Sequence, residues 1–218
     1  MRSLLRFLHV TGLSATPLAG AVPAVAPWRE RSLPQELSPA AVARLLGSCD
    51  QRSATGRRDY AILVVLLRLG LRAGEAAALQ LDDIDWRRGD LVVRGKADRR
   101  EQLPLPVVGE ALAAYLQRGR PRCQDRHLFV RVKAPTAGLT GDGVTKVVHA
   151  ACRRAGLPVT GAHRLRRTTA CATLRCGGSL AEVGEVLRQR SAFTQALYAK
   201  VDRAALERVA RPWPGERP

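Results

Sequence analysis

A chain of 218 residues with 46% hydrophobic content can bury one domain and a fraction, and its 4% aromatic content means a core of Leu, Val and Ala, which suits helices. Lys and Arg number 36 against 19 Asp and Glu, a formal +17 whose self-repulsion is offset when a polyanion binds, so nucleic acid is the expected partner. No run has membrane-span length, and Cys49, Cys123, Cys152, Cys171 and Cys176 form no CxxC pair, which argues against a membrane protein, a disulfide scaffold and a zinc site and for reduced thiols in the cytoplasm.

The first residues, MRSLLRFLHVTGL, read as an amphipathic helix. Leu4, Leu5 and Leu8 share a face that would pack on something, and Arg6 and His9 interrupt the apolar run too early for a secretory signal. Residues 14–37 hold Pro17, Pro23, Pro27 and Pro34 among Ala, Gly and Ser, a linker composition. Ser38-Pro39 then supplies an N-cap and a proline at the first helical position. Residues 57–69 are apolar nearly all round and predict a buried helix ending at Gly70, with a second helix over 72–80.

From there the periodicity changes. Leu81–Trp86, Asp90–Arg94 and Glu101–Leu105 are short segments separated by turn-like stretches, and they predict a small antiparallel sheet. Helical patterns return at 107–118, 142–155, 164–176, 180–188 and around 194–200, punctuated by glycines. The fold class is therefore mainly α with a small antiparallel β-sheet (α+β). Asp82, Asp83 and Asp85 are the one close carboxylate cluster; a polar turn into a strand explains them better than a metal site.

Charge gathers late in the chain. Between Val144 and Arg203 stand eleven basic residues against three acids, locally +8. A solvated helix surface mixes signs more evenly, so this is a candidate face for a phosphate backbone. An Arg-rich codon bias raises charge too, but explains the local shortage of acids less easily. Two helix starts carry cationic forks, Gly70-Leu71-Arg72-Ala73-Gly74-Glu75 and His163-Arg164-Leu165-Arg166-Arg167-Thr168, where helix dipole and amides favour phosphate. A third segment, Glu185 to Asp202, contains Gln189 and, nine positions on, Tyr198. Singly, each has an ordinary structural explanation: Arg72 pairing with Glu75, His163 as a cap or core histidine, Tyr198 as a core aromatic.

The ordered set resembles the tyrosine recombinases, or phage-type integrases, over roughly residues 38–210. Their pattern runs from a GLR-xx-E box to a hairpin lysine, an HxLRH box, and LGH with a tyrosine nine positions beyond its histidine. The resemblance implies that Arg72 and Arg166 clamp a scissile phosphate and that Glu75 supports Arg72. It makes Lys96, between two strands, the general acid, and His163 the proton-transfer partner of a nucleophilic Tyr198. Gln189 fills the last position of the LGH box; it donates a hydrogen bond but carries no proton, so weakened chemistry is expected. Arg167 replaces the second histidine of HxLRH. Arg94, Arg99, Arg100, Arg164, Arg167 and Arg190 become candidate DNA-backbone contacts. Double-stranded DNA is the implied partner, a homotetramer the implied assembly, and neither metal nor cofactor is implied.

In domain terms, the resemblance makes residues 1–13 the remnant of the last helix of an amino-terminal core-binding domain. Residues 14–37 form a linker, 38–211 the catalytic domain and 212–218 a tail. The implied function is site-specific recombination through a 3′-phosphotyrosyl intermediate. Its alternative is a truncated, inactive remnant that only binds DNA. A type IB topoisomerase shares the chemistry, but the HRLRR box and small size favour a recombinase, and nothing localises a helix-turn-helix pair.

Overall fold

The computed structural model describes residues 2–22, 36–95 and 100–188. Lys96, Arg99, Gln189, Arg190, Tyr198, the helix expected around 194–200 and the tail 212–218 lie outside them. The chain divides into two units, residues 1–32 and 33–218. In the first, helix α1 (Arg2–Val10) forms as its amphipathic pattern predicts and is followed by a 3₁₀ turn at Leu18–Gly20. Leu5 and Leu8 are half-buried, whereas Leu4, Phe7 and Val10 are exposed, so only part of the apolar face expected to pack is covered.

The second unit is built around one helix. Helix α2 (Pro39–Gly47) starts where expected, with the Ser38 side chain accepting from the Ala41 amide. Helix α3 (Ala54–Arg68) is capped by Ser53, and its residues Ala61 to Leu67 are all buried. It packs against α2, α4 (Ala73–Ala78), α5 (Pro106–Arg118), α6 (Gly141–Arg154) and α7 (Ala162–Arg175). A helix apolar on every side needs such a jacket. Tyr115 of α5 is fully buried, stacks on Phe129, and its hydroxyl accepts from the Val130 amide.

Between α4 and α5 lies a three-stranded antiparallel sheet in the order β1 (Ile84–Asp85), β2 (Asp90–Arg94), β3 (Arg100–Pro104). The first strand is shorter than its sequence suggests because Leu81–Asp83 forms a 3₁₀ turn. Asp83 closes that turn by accepting from the Gln80 amide, a local bond that competes with strand pairing. The acidic trio is structural: Asp82 pairs with Arg126, Asp83 with Arg94, and Asp85 accepts from the amides of Arg87 and Arg88. Among the described residues no cluster of side chains could hold a metal ion, and no helix is long and apolar enough to cross a membrane.

Helix α8 (Leu180–Val186) is attached differently from the rest. Its Val183 and the following Leu187 join Ala170 and Cys171 of α7 in a small hydrophobic cluster of their own, separate from the main core.

The central helix also buries an acid. Asp59 on α3 is buried, accepts from Nε and Nη2 of Arg58 at 3.1 and 2.8 Å, and accepts from Nη2 of Arg154 on α6 at 3.3 Å. Removing the carboxylate would leave a guanidinium buried without its counter-charge. Asp59→Ala is therefore expected to lose about 3 kcal/mol of stability, read as a lower urea midpoint; a midpoint at the wild-type value would show that the carboxylate is dispensable.

Candidate functional site

The site grows from the end of α3. Gly70 takes φ +57 in the turn to α4, a left-handed conformation that glycine adopts without strain. A β-carbon there would also stand 2.8 Å from Cδ2 of Leu187, so glycine lets the end of α8 approach. The terminal carbonyls of a helix lack intrahelical partners and carry partial negative charge. Thr169 Oγ1 donates to Leu67 O at 2.7 Å, Arg166 Nη1 donates to Gly70 O, and Arg188 Nη1 donates to Leu69 O at 3.1 Å.

Helix α7 delivers the first two of these donors. Ala162, Leu165, Arg166 and Thr169 recur at helical spacing and are all buried, so one face of α7 meets α3 with an arginine in it. Arg166 is 1% exposed, and its Nη2 reaches Leu187 O on the far side. The guanidinium thus bridges the α3–α4 turn and the end of α8.

Two residues past Gly70, Arg72 precedes α4. Glu75 Oε2 accepts from the Arg72 amide at 2.9 Å, and Glu75 Oε1 pairs with Arg72 Nη1 at 2.5 Å. The Arg72 side chain is 49% exposed, so it keeps this partner and still faces solvent. Arg188 Nη2 lies 3.1 Å from Glu75 Oε2, so two arginines share one carboxylate. Burial pushes the Glu75 carboxyl up, but the bonds from Arg72 and the charges of Arg188 and Arg72 outweigh it and hold the group below its ordinary value of 4.5.

His163, in the first turn of α7, is exposed as a residue. Partial desolvation of its ring comes first among the causes that lower its pKa below 6.5, followed by the charges of Arg167, Arg166 and Arg72. Arg72, His163, Arg166 and Glu75 are therefore one electrostatic neighbourhood. Tyr60 and Tyr115 lie in or against the core, as their sequence context suggests.

The described candidate DNA contacts divide. Arg100 is exposed at the start of β3, opposite Arg94 in register. Arg94 itself is tied to the buried Asp83 at 2.8 Å. Arg164 donates to Glu36 O at 3.3 Å, and Arg167 is half-buried beside His163. Arg188 belongs to the basic run between Val144 and Arg203 but is not among the residues that the resemblance singles out. The one available signal was its place between Leu187 and Gln189, where the LGH box has glycine.

The phage integrase family model matches residues 35–204. The chain is 47% identical over 220 residues to "Putative integrase/recombinase y4rA" of Sinorhizobium fredii (strain NBRC 101917 / NGR234), a match covering 99% of this chain and 54% of that protein. It is 31% identical to the tyrosine recombinase XerD of Listeria innocua, across 96% of this chain and 71% of the relative. Its fold is similar to the crystal structure of XerH site-specific recombinase bound to palindromic difH substrate in a post-cleavage complex. There the TM-score is 0.70 at 25% identity, covering 88% of this chain and 57% of that one. The chain thus spans about half the length of the Sinorhizobium relative.

The Glu75 arrangement has a pH signature. A carboxyl held below its unfolded value contributes stability that is complete above pH 4.5 and is lost as pH falls through the folded value. Glu75→Gln is expected to be less stable than wild type at pH 7, with the gap closing below pH 4.5. Denaturant midpoints measured from pH 7 to pH 3 check this, and a gap independent of pH would show that the carboxylate charge is not what holds the turn.

Proposed function

The chain belongs to the phage integrase family and carries the catalytic domain of its tyrosine recombinases, and from that premise we propose that it cleaves and rejoins DNA at specific sites through a 3′-phosphotyrosyl intermediate on Tyr198. The observation that supports this best is the convergence at one turn: Arg166 holds Gly70, Arg72 follows two residues later, and the charge of both reaches His163.

In the proposed reaction the Tyr198 oxygen attacks phosphorus and its proton passes to His163. The 5′-oxygen leaves with a proton from Lys96, so the products are a phosphotyrosine and a free 5′-hydroxyl. Charge that builds on the non-bridging oxygens is met by Arg72 and Arg166, forked cations suited to phosphate. Gln189 adds a neutral donor. A histidine kept neutral near pH 7 is in the right state to accept the tyrosine proton. Attack of another 5′-hydroxyl on the phosphotyrosine reverses the step and joins strands without an external energy source.

Joining two duplexes in new partners requires four strand cleavages, and one tyrosine serves one strand, so a homotetramer on double-stranded DNA is the proposed working form. Residues 38–211 would form its catalytic domain. Arg100 and Arg167, with Arg99 and Arg190, would supply backbone contacts, while Arg94 and Arg164 act more through their internal bonds. The cytoplasm, where such DNA lies, is the proposed location.

The test uses a pool of nicked duplexes with randomised arms, in which the short fragment beyond the cut diffuses away and traps the adduct. Wild type is expected to give a detergent-resistant protein–DNA species, Tyr198→Phe none, and Arg72→Ala about 100-fold less. A wild-type chain that forms no adduct with any member of the pool, or a Tyr198→Phe chain that still does, sinks the reading.

The pH dependence provides a second check. With the His163 pKa lowered, single-turnover cleavage should hold level from pH 8 to 6.5 and fall only below that. Arg167→Gln removes the largest of the repelling charges, favours the imidazolium and should move the acid limb upward. An acid limb that stays in place or moves down would separate Arg167 from the proton-transfer group.

A further inference from the structure

We infer that Arg188 is a positioning residue for the proposed reaction, tying strand β3, which follows Lys96 in the chain, and the end of α8, which precedes Tyr198, to the turn that carries Arg72. The inference rests on the reading above. Arg188 is the one non-glycine residue at positive φ among the described residues, at +52. A side chain in the left-handed region is unusual and persists where its surroundings over-determine it.

Those surroundings come from three elements. Nη1 donates to Leu69 O at 3.1 Å and Nη2 to Gly70 O at 3.4 Å, both at the end of α3. Nη2 also lies 3.1 Å from Glu75 Oε2, the carboxylate that Arg72 uses. Nε lies 3.6 Å from Glu101 Oε2 on β3, five positions beyond Lys96. The Arg188 side chain is 7% exposed. Its own backbone stands immediately before Gln189 and ten residues before Tyr198.

Apolar packing does little of this work. Helix α8 is held by a small satellite cluster, so the end of α8 is fixed to the α3–α4 turn by Leu187 against Gly70 and by polar bonds from Arg166 and Arg188. Among the described residues, the pair with Glu101 is the ion pair that joins Arg188 to the sheet. Glu101 is 42% exposed, and an ion pair of that kind contributes little to global stability. Loss of the pair should therefore register in geometry rather than in folding.

A plain helix-end role is the competing explanation, because Arg188 Nη1 also reaches Val186 O at 3.3 Å. The two separate on leaving-group chemistry. A substrate whose 5′-bridging oxygen is replaced by sulfur expels a thiolate that needs no proton, so it bypasses Lys96.

Adduct formation is measured in a single turnover on DNA selected by the wild-type chain, with oxygen and with sulfur at the bridging position. Glu101→Gln is expected to melt as wild type does, to react about 10-fold more slowly on the oxygen substrate, and to come within about 2-fold of wild type on the sulfur substrate. Arg188→Gly relieves the backbone but removes every tie; it should slow the oxygen reaction more than Glu101→Gln does and be only partly restored by sulfur. Arg188→Lys keeps the charge without the fork and should fall between. Glu101→Gln at the wild-type rate on oxygen, or equally slow on both substrates, overturns the inference, and so does Arg188→Gly at the wild-type rate. A wild-type chain without any adduct overturns the proposed function and this inference with it. A wild-type chain that reacts while the variants match it overturns the inference alone.

Discussion

The carbonyl groups at the end of α3 must find partners inside the protein, and the rest of the site follows from how they do. Burying an unpaired carbonyl is unfavourable, and so is burying an arginine without acceptors. At Leu67, Leu69 and Gly70 these two needs are met together by Thr169, Arg188 and Arg166. The dipole of a long buried helix adds partial negative charge where the guanidinium groups arrive. An arginine on the inner face of α7 thereby becomes compatible with a hydrophobic surface.

Convergence has an electrostatic consequence. Arg72 and Arg188 share the Glu75 carboxylate, and Arg166 joins Arg188 on the Gly70 carbonyl beside it. Cation exceeds anion there, and the excess is felt by His163, whose protonated form is disfavoured by Arg167, Arg166 and Arg72 after desolvation has begun the shift. One carboxylate divided between two guanidinium groups neutralises neither fully. A neighbourhood balanced in this way is completed by an anion, and a phosphate is the anion whose shape matches the forks.

Much of this frame is legible in the sequence because it depends on local signals. Ser38-Pro39 marks the start of α2, the apolar run before Gly70 marks α3, and alternating segments mark β2 and β3. The boxes around Arg72 and His163–Arg166 fall at helix starts, as their composition suggests. What escapes the sequence depends on distant partners. The segment 119–140 has no periodicity and is shaped by Arg120 and Asp125, whose side chains bind backbone groups across the loop. Arg188 is invisible for the same reason: its role rests on a positive φ and on acceptors more than eighty residues away. Lys96, Gln189 and Tyr198 lie outside the described residues, so their expected roles belong to the proposed function.

The acceptors also distinguish the three arginines. Arg188 faces the carboxylates of Glu75 and Glu101, and Arg72 faces Glu75, so for both a phosphate would compete with a charged partner. Arg166 donates to the carbonyls of Gly70 and Leu187, which are neutral. A charged oxygen is the stronger hydrogen-bond acceptor, roughly twofold in strength. In the proposed reaction Arg72 can reach a phosphate from its half-exposed position without releasing Glu75. Arg188 has least to gain, which suits a group that holds other elements in place. The same side-chain chemistry can in this way serve structure at one position and transition-state charge at another, with the choice made by what each guanidinium already holds.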